Sequence, residues 1–120
     1  MTVRRMKTYT GSQGYVYQYY FVGKRVAPEG TTPAPASEYI FDVTSDRKLT
    51  YAVTVSFPQQ VAVAWAHAHS RNLSDSEQYA AVKLRLFRAF DEIEDMQKEG
   101  RLLEIELPVL EESLGTLGVE

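Results

Sequence analysis

The chain has 120 residues, no cysteine and a formal net charge of −3 at pH 7. That length is enough for one domain, residues 1–120, with a core of its own, and the absence of thiols excludes disulfide scaffolds, thiolate metal sites and cysteine nucleophiles. No window approaches the roughly eighteen apolar residues of a membrane span, and no apolar run follows the basic N-terminus, so a soluble, cytoplasmic protein is expected.

The charges are nevertheless sorted along the chain. Arg4, Arg5, Lys7, Lys24 and Arg25 stand in the first 28 residues without an acid, whereas ten acids face only Lys98 and Arg101 in residues 91–120. Such asymmetry predicts an acidic counterpart for the N-terminal part, and the simplest one is the C-terminal part of the same chain or of a second copy.

The first predicted strand covers residues 14–26. One parity presents Tyr15, Tyr17, Tyr19 and Phe21; the other presents Val16, Gln18, Tyr20 and Val22, followed by Lys24. Burying Gln18 and Lys24 unpaired is costly, which assigns the all-aromatic set to the core. The link "APEGTTPAPAS", residues 27–37, has three prolines, one glycine and no periodicity, and reads as an exposed, flexible loop.

Two further strands follow. In "EYIFDVT" the residues Tyr39, Phe41 and Val43 alternate with Glu38, Ile40, Asp42 and Thr44; in "LTYAVTVSF" Leu49, Tyr51, Val53 and Val55 alternate with Thr50, Ala52, Thr54 and Ser56. The polar "SDRK" between them is of hairpin length, which predicts an antiparallel meander. Past Phe57 the period changes: Pro58 suits a first helical turn, and Val61, Ala64, Trp65 and Ala68 recur at helical spacing. "SDSE" supplies a capping box from Ser74 to Glu77 for a long helix reaching about Lys98, with Tyr79, Val82, Leu86, Phe90 and Ile93 as its apolar stripe and Gly100 as a left-handed stop. "LLEIEL" reads as a fourth strand with Leu103, Ile105 and Leu107 inward, and Pro108 opens a last helix with Leu110, Leu114 and Leu117 inward. The expected fold is α+β, an antiparallel three- to four-stranded meander with helices on one face, in the order β-β-β-α-α-β-α.

One layer of helices covers one sheet face, so the other should be polar. Thr50, Ala52, Thr54 and Ser56 comply, but the first strand leaves Val16, Tyr20 and Val22 on that side. An apolar strip on a polar face suits a protein contact. The first functional reading is therefore a protein-interaction or assembly module, a homodimer or accessory subunit, whose partner-binding residues are Val16, Tyr20, Val22, Lys24 and Arg25.

"QGYVYQYY" resembles in part the aromatic octamer on a central strand of RNA-recognition motifs, with Gly14, Tyr15, Tyr17 and Tyr20 at its glycine and aromatic positions. Gln13, Val16 and Gln18 depart from that pattern and the family's β-α-β-β-α-β order is absent, so the likeness is one of eight residues and not of family. It implies a second reading, single-stranded nucleic-acid binding by stacking on Tyr15 and Tyr17 with phosphate contacts from Lys24 and Arg25, against which the net negative charge weighs. A third reading is a small-molecule or enzymatic pocket near the 27–37 loop with Asp42, Thr54 and His67 as convergent polar groups.

The remaining polar groups point to no metal and no cofactor. His67 and His69 in "WAHAH" diverge by about 200° on a helix and read as solvated or locally capping. In "FDEIED", Asp91, Glu94 and Asp95 share a helix face as a solvated run, with Arg88 spaced to pair with Glu92; acids at a helix C-terminus oppose its dipole, which predicts a cationic compensator from the N-terminal segment. No phosphate loop, nucleophile elbow or zinc-protease helix occurs, so no catalytic residue can be named.

Overall fold

A computed structural model describes residues 6–27 and 35–119. Arg4, Arg5 and most of the predicted 27–37 loop lie outside the described residues. The elements run β1 (Lys7–Thr10), β2 (Val16–Val26), β3 (Ala36–Thr44), β4 (Tyr51–Pro58), α1 (Gln59–His69), α2 (Asp75–Glu92), α3 (Met96–Glu99), β5 (Leu102–Glu104) and α4 (Leu107–Thr116).

The α+β class agrees with the sequence reading, but the sheet is mixed and five-stranded, in the order β1-β2-β3-β4-β5. β1 to β4 form an antiparallel meander. β5 lies parallel to β4, because the chain leaves β4, crosses through three helices and returns on the same side. The added edge strand β1 is four residues long, too short for alternation to reveal it, and it exists because β2 offers it a partner across the turn at Gly11 to Tyr15.

The inward faces are apolar as the alternation requires. Tyr17 and Tyr19 of β2, Tyr39, Phe41 and Val43 of β3, and Tyr51, Val53, Val55 and Phe57 of β4 are buried against Trp65 of α1, Val82, Leu86 and Phe90 of α2, and Leu110 and Leu114 of α4. Phe90 lies parallel to Tyr17 with centroids 4.2 Å apart, and Phe87 lies parallel to Tyr9 at 4.4 Å. The aromatic strand is thus clamped by an aromatic turn of α2. Trp65 stacks on His69 at 4.1 Å, although its buried indole Nε1 has no partner among the described residues.

Several boundaries move for local reasons. Tyr15 is exposed and precedes β2, because its carbonyl accepts the Gly11 amide (2.8 Å) and closes the β1–β2 turn. Leu49 is exposed as well, since its amide donates to Asp46 Oδ1 (2.9 Å) and belongs to the β3–β4 turn. The long helix ends at Glu92, not near Lys98: Ile93 is extended and Asp95 caps the separate α3 by accepting from the Lys98 amide (3.2 Å). Gly100 has φ −111°, so it is no left-handed stop. A Cβ there would overlap the Met96 thioether, so a larger residue requires that buried side chain to shift. After α4 the chain turns at Gly118 (φ 76°) and Val119 donates to Leu114 O (2.8 Å), so Val119 packs on the core while Leu117, expected inward, is exposed.

The capping box forms as read. Ser74 Oγ accepts from the Glu77 amide (3.2 Å), Glu77 Oε1 accepts from the Ser74 amide (2.9 Å), and Arg71 grips the same carboxylate through both terminal nitrogens at 2.9 Å. The Arg71 hydrogen bonds, followed by the Ser74 amide, hold the Glu77 carboxyl down at about 2, against an ordinary value of 4.5. A depressed carboxyl contributes stability that is complete above its unfolded-state value and is lost as pH falls through the folded one. Glu77→Gln should therefore flatten the acid side of the stability profile between about pH 4.5 and about 2 while keeping the capping geometry. Urea midpoints measured from pH 2 to 6 check this; an unchanged acid slope contradicts it.

Candidate functional site

The helices cover the face of Tyr17, Tyr19 and Phe41. On the opposite face, onto which β2 projects Val16, Gln18, Tyr20 and Val22, Glu38, Thr44 and Ser56 are buried, but the β2 strip stays open among the described residues. Val16, Tyr20 and Val22 are 47%, 36% and 53% exposed. Across the ladder, Thr10 lies opposite Val16, Thr8 opposite Gln18 and Asp42 opposite Tyr20. Ile40 continues the strip on β3, and Ala52 and Thr54 of β4 with exposed Leu102 of β5 extend the face to the far edge.

Lys24 and Arg25 do not join this strip as a pair. A bulge between Phe21 and Gly23 reverses the parity of the rest of β2. Lys24, expected beside Val22, is therefore turned to the helix side with its ammonium 5.3 Å from the centre of the Tyr39 ring. Arg25 takes the open side instead, and its Nε donates to Glu38 Oε1 (2.8 Å) across the ladder. Glycine inside a strand signals such a bulge.

Among the described residues the end of α2 is held by neutral donors of the β1–β2 hairpin; Arg4 and Arg5 of the cationic segment expected there lie outside the described residues. Asp91 Oδ2 accepts from the Tyr9 hydroxyl and Oδ1 from the Ser12 amide, both at 2.8 Å, while the Asp91 carbonyl accepts from Gln13 Nε2 (2.7 Å). Gly11 sits so close to the helix that an added Cβ would lie 3.1 Å from the Phe90 carbonyl oxygen. A helix end leaves carbonyls without intrahelical partners, and the hairpin turn supplies donors. Burial, then the Asp91 hydrogen bond and charge, raise the Tyr9 hydroxyl above its ordinary value. Arg88 pairs with Glu92 at 2.6 Å as its spacing predicts.

A cleft of about 470 Å³ opens beside this anchor, where the start of β2 and the β3–β4 turn meet the α2–α3 link. Tyr15, Tyr17, Tyr51, Glu94, Asp95 and Glu99 line it, with Met96 among them. Burial pushes the Tyr51 hydroxyl up to about 12, aided by Tyr17 and Asp95, with Arg101 opposing; Tyr17 is raised in the same direction, by burial first and then by Tyr15 and Asp95. The tyrosines and the acidic run each stand out in the sequence, but their convergence does not, because residues near 15, 45 and 95 meet only through the meander and the crossover.

The predicted pocket set is not assembled. Asp42 and Thr54 share the open sheet face, whereas His67 is exposed on α1, in the helical layer on the other side. The hollow at the described end of the 27–37 loop is lined by Lys24, Pro35, Ser37, Phe57, Gln59 and Gln78, without Asp42, Thr54 or His67. His69 is drawn to Glu111 of α4, with Nε2 2.9 Å from Oε2, and ties the first and last helices together. For nucleic acid, Tyr15 is available, but Tyr17 is buried under Phe90 and its ring faces no base.

Among the described residues no helix is long and apolar enough to cross a membrane, and no group of His, Asp and Glu side chains could hold a metal ion. The chain matches no protein-family model, no curated protein and no solved structure at a significant level.

Proposed function

We propose that the protein is an assembly module whose open sheet face pairs with the same face of a second copy. The observation that carries the reading is the exposed strip of Val16, Tyr20 and Val22 on the side no described helix covers. Tyrosine supplies contact area at low entropic cost and a hydroxyl for a wet rim. The face carries charges of both signs at its border, Arg25 paired with Glu38 and Asp42 opposite Tyr20, and a two-fold axis through the apolar strip pairs the strip with itself. With strands of 4, 11, 9, 8 and 3 residues spaced about 4.8 Å, the whole sheet face projects about 570 Å², below the ~800 Å² per partner of a standard interface and in the range of a weak, concentration-dependent dimer.

The expected result is a concentration-dependent dimer in sedimentation, whose dissociation constant rises about thirtyfold on Tyr20→Asp, the effect of losing a central anchor of about 2 kcal/mol. Lys24→Ala, on the helix side, should leave association unchanged. A monomer at every concentration, unaltered by Tyr20→Asp, overturns the reading.

A further inference from the structure

We propose that the cleft between the start of β2, the β3–β4 turn and the α2–α3 link binds a small organic ammonium ion. Three carboxylates, Glu94, Asp95 and Glu99, line it, and no cation among the described residues lies within ion-pair distance of any of them. Among the described residues Glu94 and Glu99 make no side-chain hydrogen bond, and Asp95 accepts the Lys98 amide alone. Repulsion within such a set is relieved by a bound cation.

The second observation is independent of the acids. Tyr17 and Tyr51 are 2% and 8% exposed, yet neither hydroxyl has a hydrogen-bond partner among the described residues. The Trp65 nitrogen is the buried side-chain polar atom left wholly enclosed and unpartnered among the described residues, so these two phenols keep an opening, and the cleft they line is where it lies. Two nearly buried phenols with spare oxygen lone pairs are acceptors awaiting a donor.

The chemistry selects the ligand. The carboxylates do not converge as metal ligands, since no described group could hold a metal, and a cleft of about 470 Å³ is larger than a bare ion needs. Aromatic faces beside carboxylates instead suit an alkylammonium, whose N–H groups reach the phenol and carboxylate oxygens while its methylenes lie on the rings. Tyr51 already receives such a contact on the protein's own account, from the Arg101 guanidinium 6.0 Å from its ring centre. The C-terminal end of α2, opening on residues 93–95, adds partial negative charge.

The test is an NMR titration at pH 7 of the labelled full chain with 1,4-diaminobutane, tetramethylammonium or N-acetyl-lysine amide, against sodium chloride at matched ionic strength. Saturable shifts at Tyr15, Tyr51 and residues 94–99 are expected with the amines and not with the salt. Tetramethylammonium, which donates no hydrogen bond, should bind less tightly than the diamine. Glu94→Gln with Asp95→Asn, which preserves the cap on α3, should weaken diamine binding at least tenfold, and Tyr15→Ala, at an exposed position, should weaken it without unfolding the chain. Tighter binding of the capped lysine than of the diamine assigns the ammonium to a polypeptide side chain; the reverse assigns it to a free amine. Shifts that sodium chloride reproduces, no saturable shift, or diamine binding undiminished in both variants overturns the site. Because the cleft lies in the helical layer, this outcome is independent of whether the open face dimerises.

Discussion

Phe90→Ala is expected to destabilise the protein by about 3–5 kcal/mol, the range for removing a fully buried aromatic side chain. Phe90 is wholly buried and lies parallel to Tyr17, with Tyr9, Tyr19 and Phe87 as further ring neighbours. Truncation removes its own burial, leaves a void that the strand cannot fill without sliding, and strips Tyr17 of its stacked partner. Since a domain of this size holds about 5–15 kcal/mol of net stability, the variant should unfold at a much lower urea concentration with an unchanged slope. Phe87→Ala, at a half-buried position, should cost about half as much. A loss below about 1 kcal/mol at Phe90 would mean that the aromatic clamp does not hold β2.

The clamp explains which parts of the fold could be read in the sequence. Where a local pattern and the tertiary environment agree, the reading is sound: Tyr39, Phe41 and Val43 alternate because one face of β3 is buried, and Ser74 and Glu77 cap α2 without reference to anything distant. Tyr17 and Tyr19 were assignable inward because Gln18, at the alternate parity, resists burial. Where the structure depends on two signals in competition, the pattern misleads. Asp95 interrupts an apolar stripe that continues through Ile93 and Met96, and its capping bond to the Lys98 amide prevails over helix continuation. The bulge at Gly23 likewise sends Lys24 to one face and Arg25 to the other, dividing two adjacent cations that looked like one basic patch.

The candidate surfaces divide on the same ground. Val16, Tyr20 and Val22 could be named from strand parity alone, since a period of two places them together whatever the partner strands. The cleft could not, because Tyr15, Tyr51 and Glu94 converge only after the hairpin, the meander and the crossover have all formed. The acidic run that lines it was visible, but its aromatic counterparts lie far earlier in the chain, Tyr15 and Tyr17 in the β1–β2 hairpin and Tyr51 in β4.

Asp91→Ala should release the β1–β2 hairpin from the end of α2 and lower stability by about 2 kcal/mol. The magnitude follows from two hydrogen bonds to an ionised acceptor, each worth about 1.5–3 kcal/mol when shielded, reduced because the Ser12 amide is exposed. Tyr9→Phe removes one of the two and should cost about 1 kcal/mol. The double variant should fall short of the sum, because once Asp91 is gone the Tyr9 hydroxyl has nothing left to lose. Additivity in that cycle would mean that the Tyr9 hydroxyl contributes elsewhere. Hydrogen exchange gives the structural readout, since among the described residues β1 is an edge strand laddered to β2 alone, and its amides should exchange faster in Asp91→Ala while those of β3 and β4 keep their protection. The same hairpin carries Thr8, Thr10 and Val16 at the rim of the open face and Tyr15 at the mouth of the cleft. One carboxylate on α2 therefore positions the borders of both surfaces, and its loss should weaken self-association and ammonium binding together, whereas Tyr20→Asp should touch only the first and Glu94→Gln only the second.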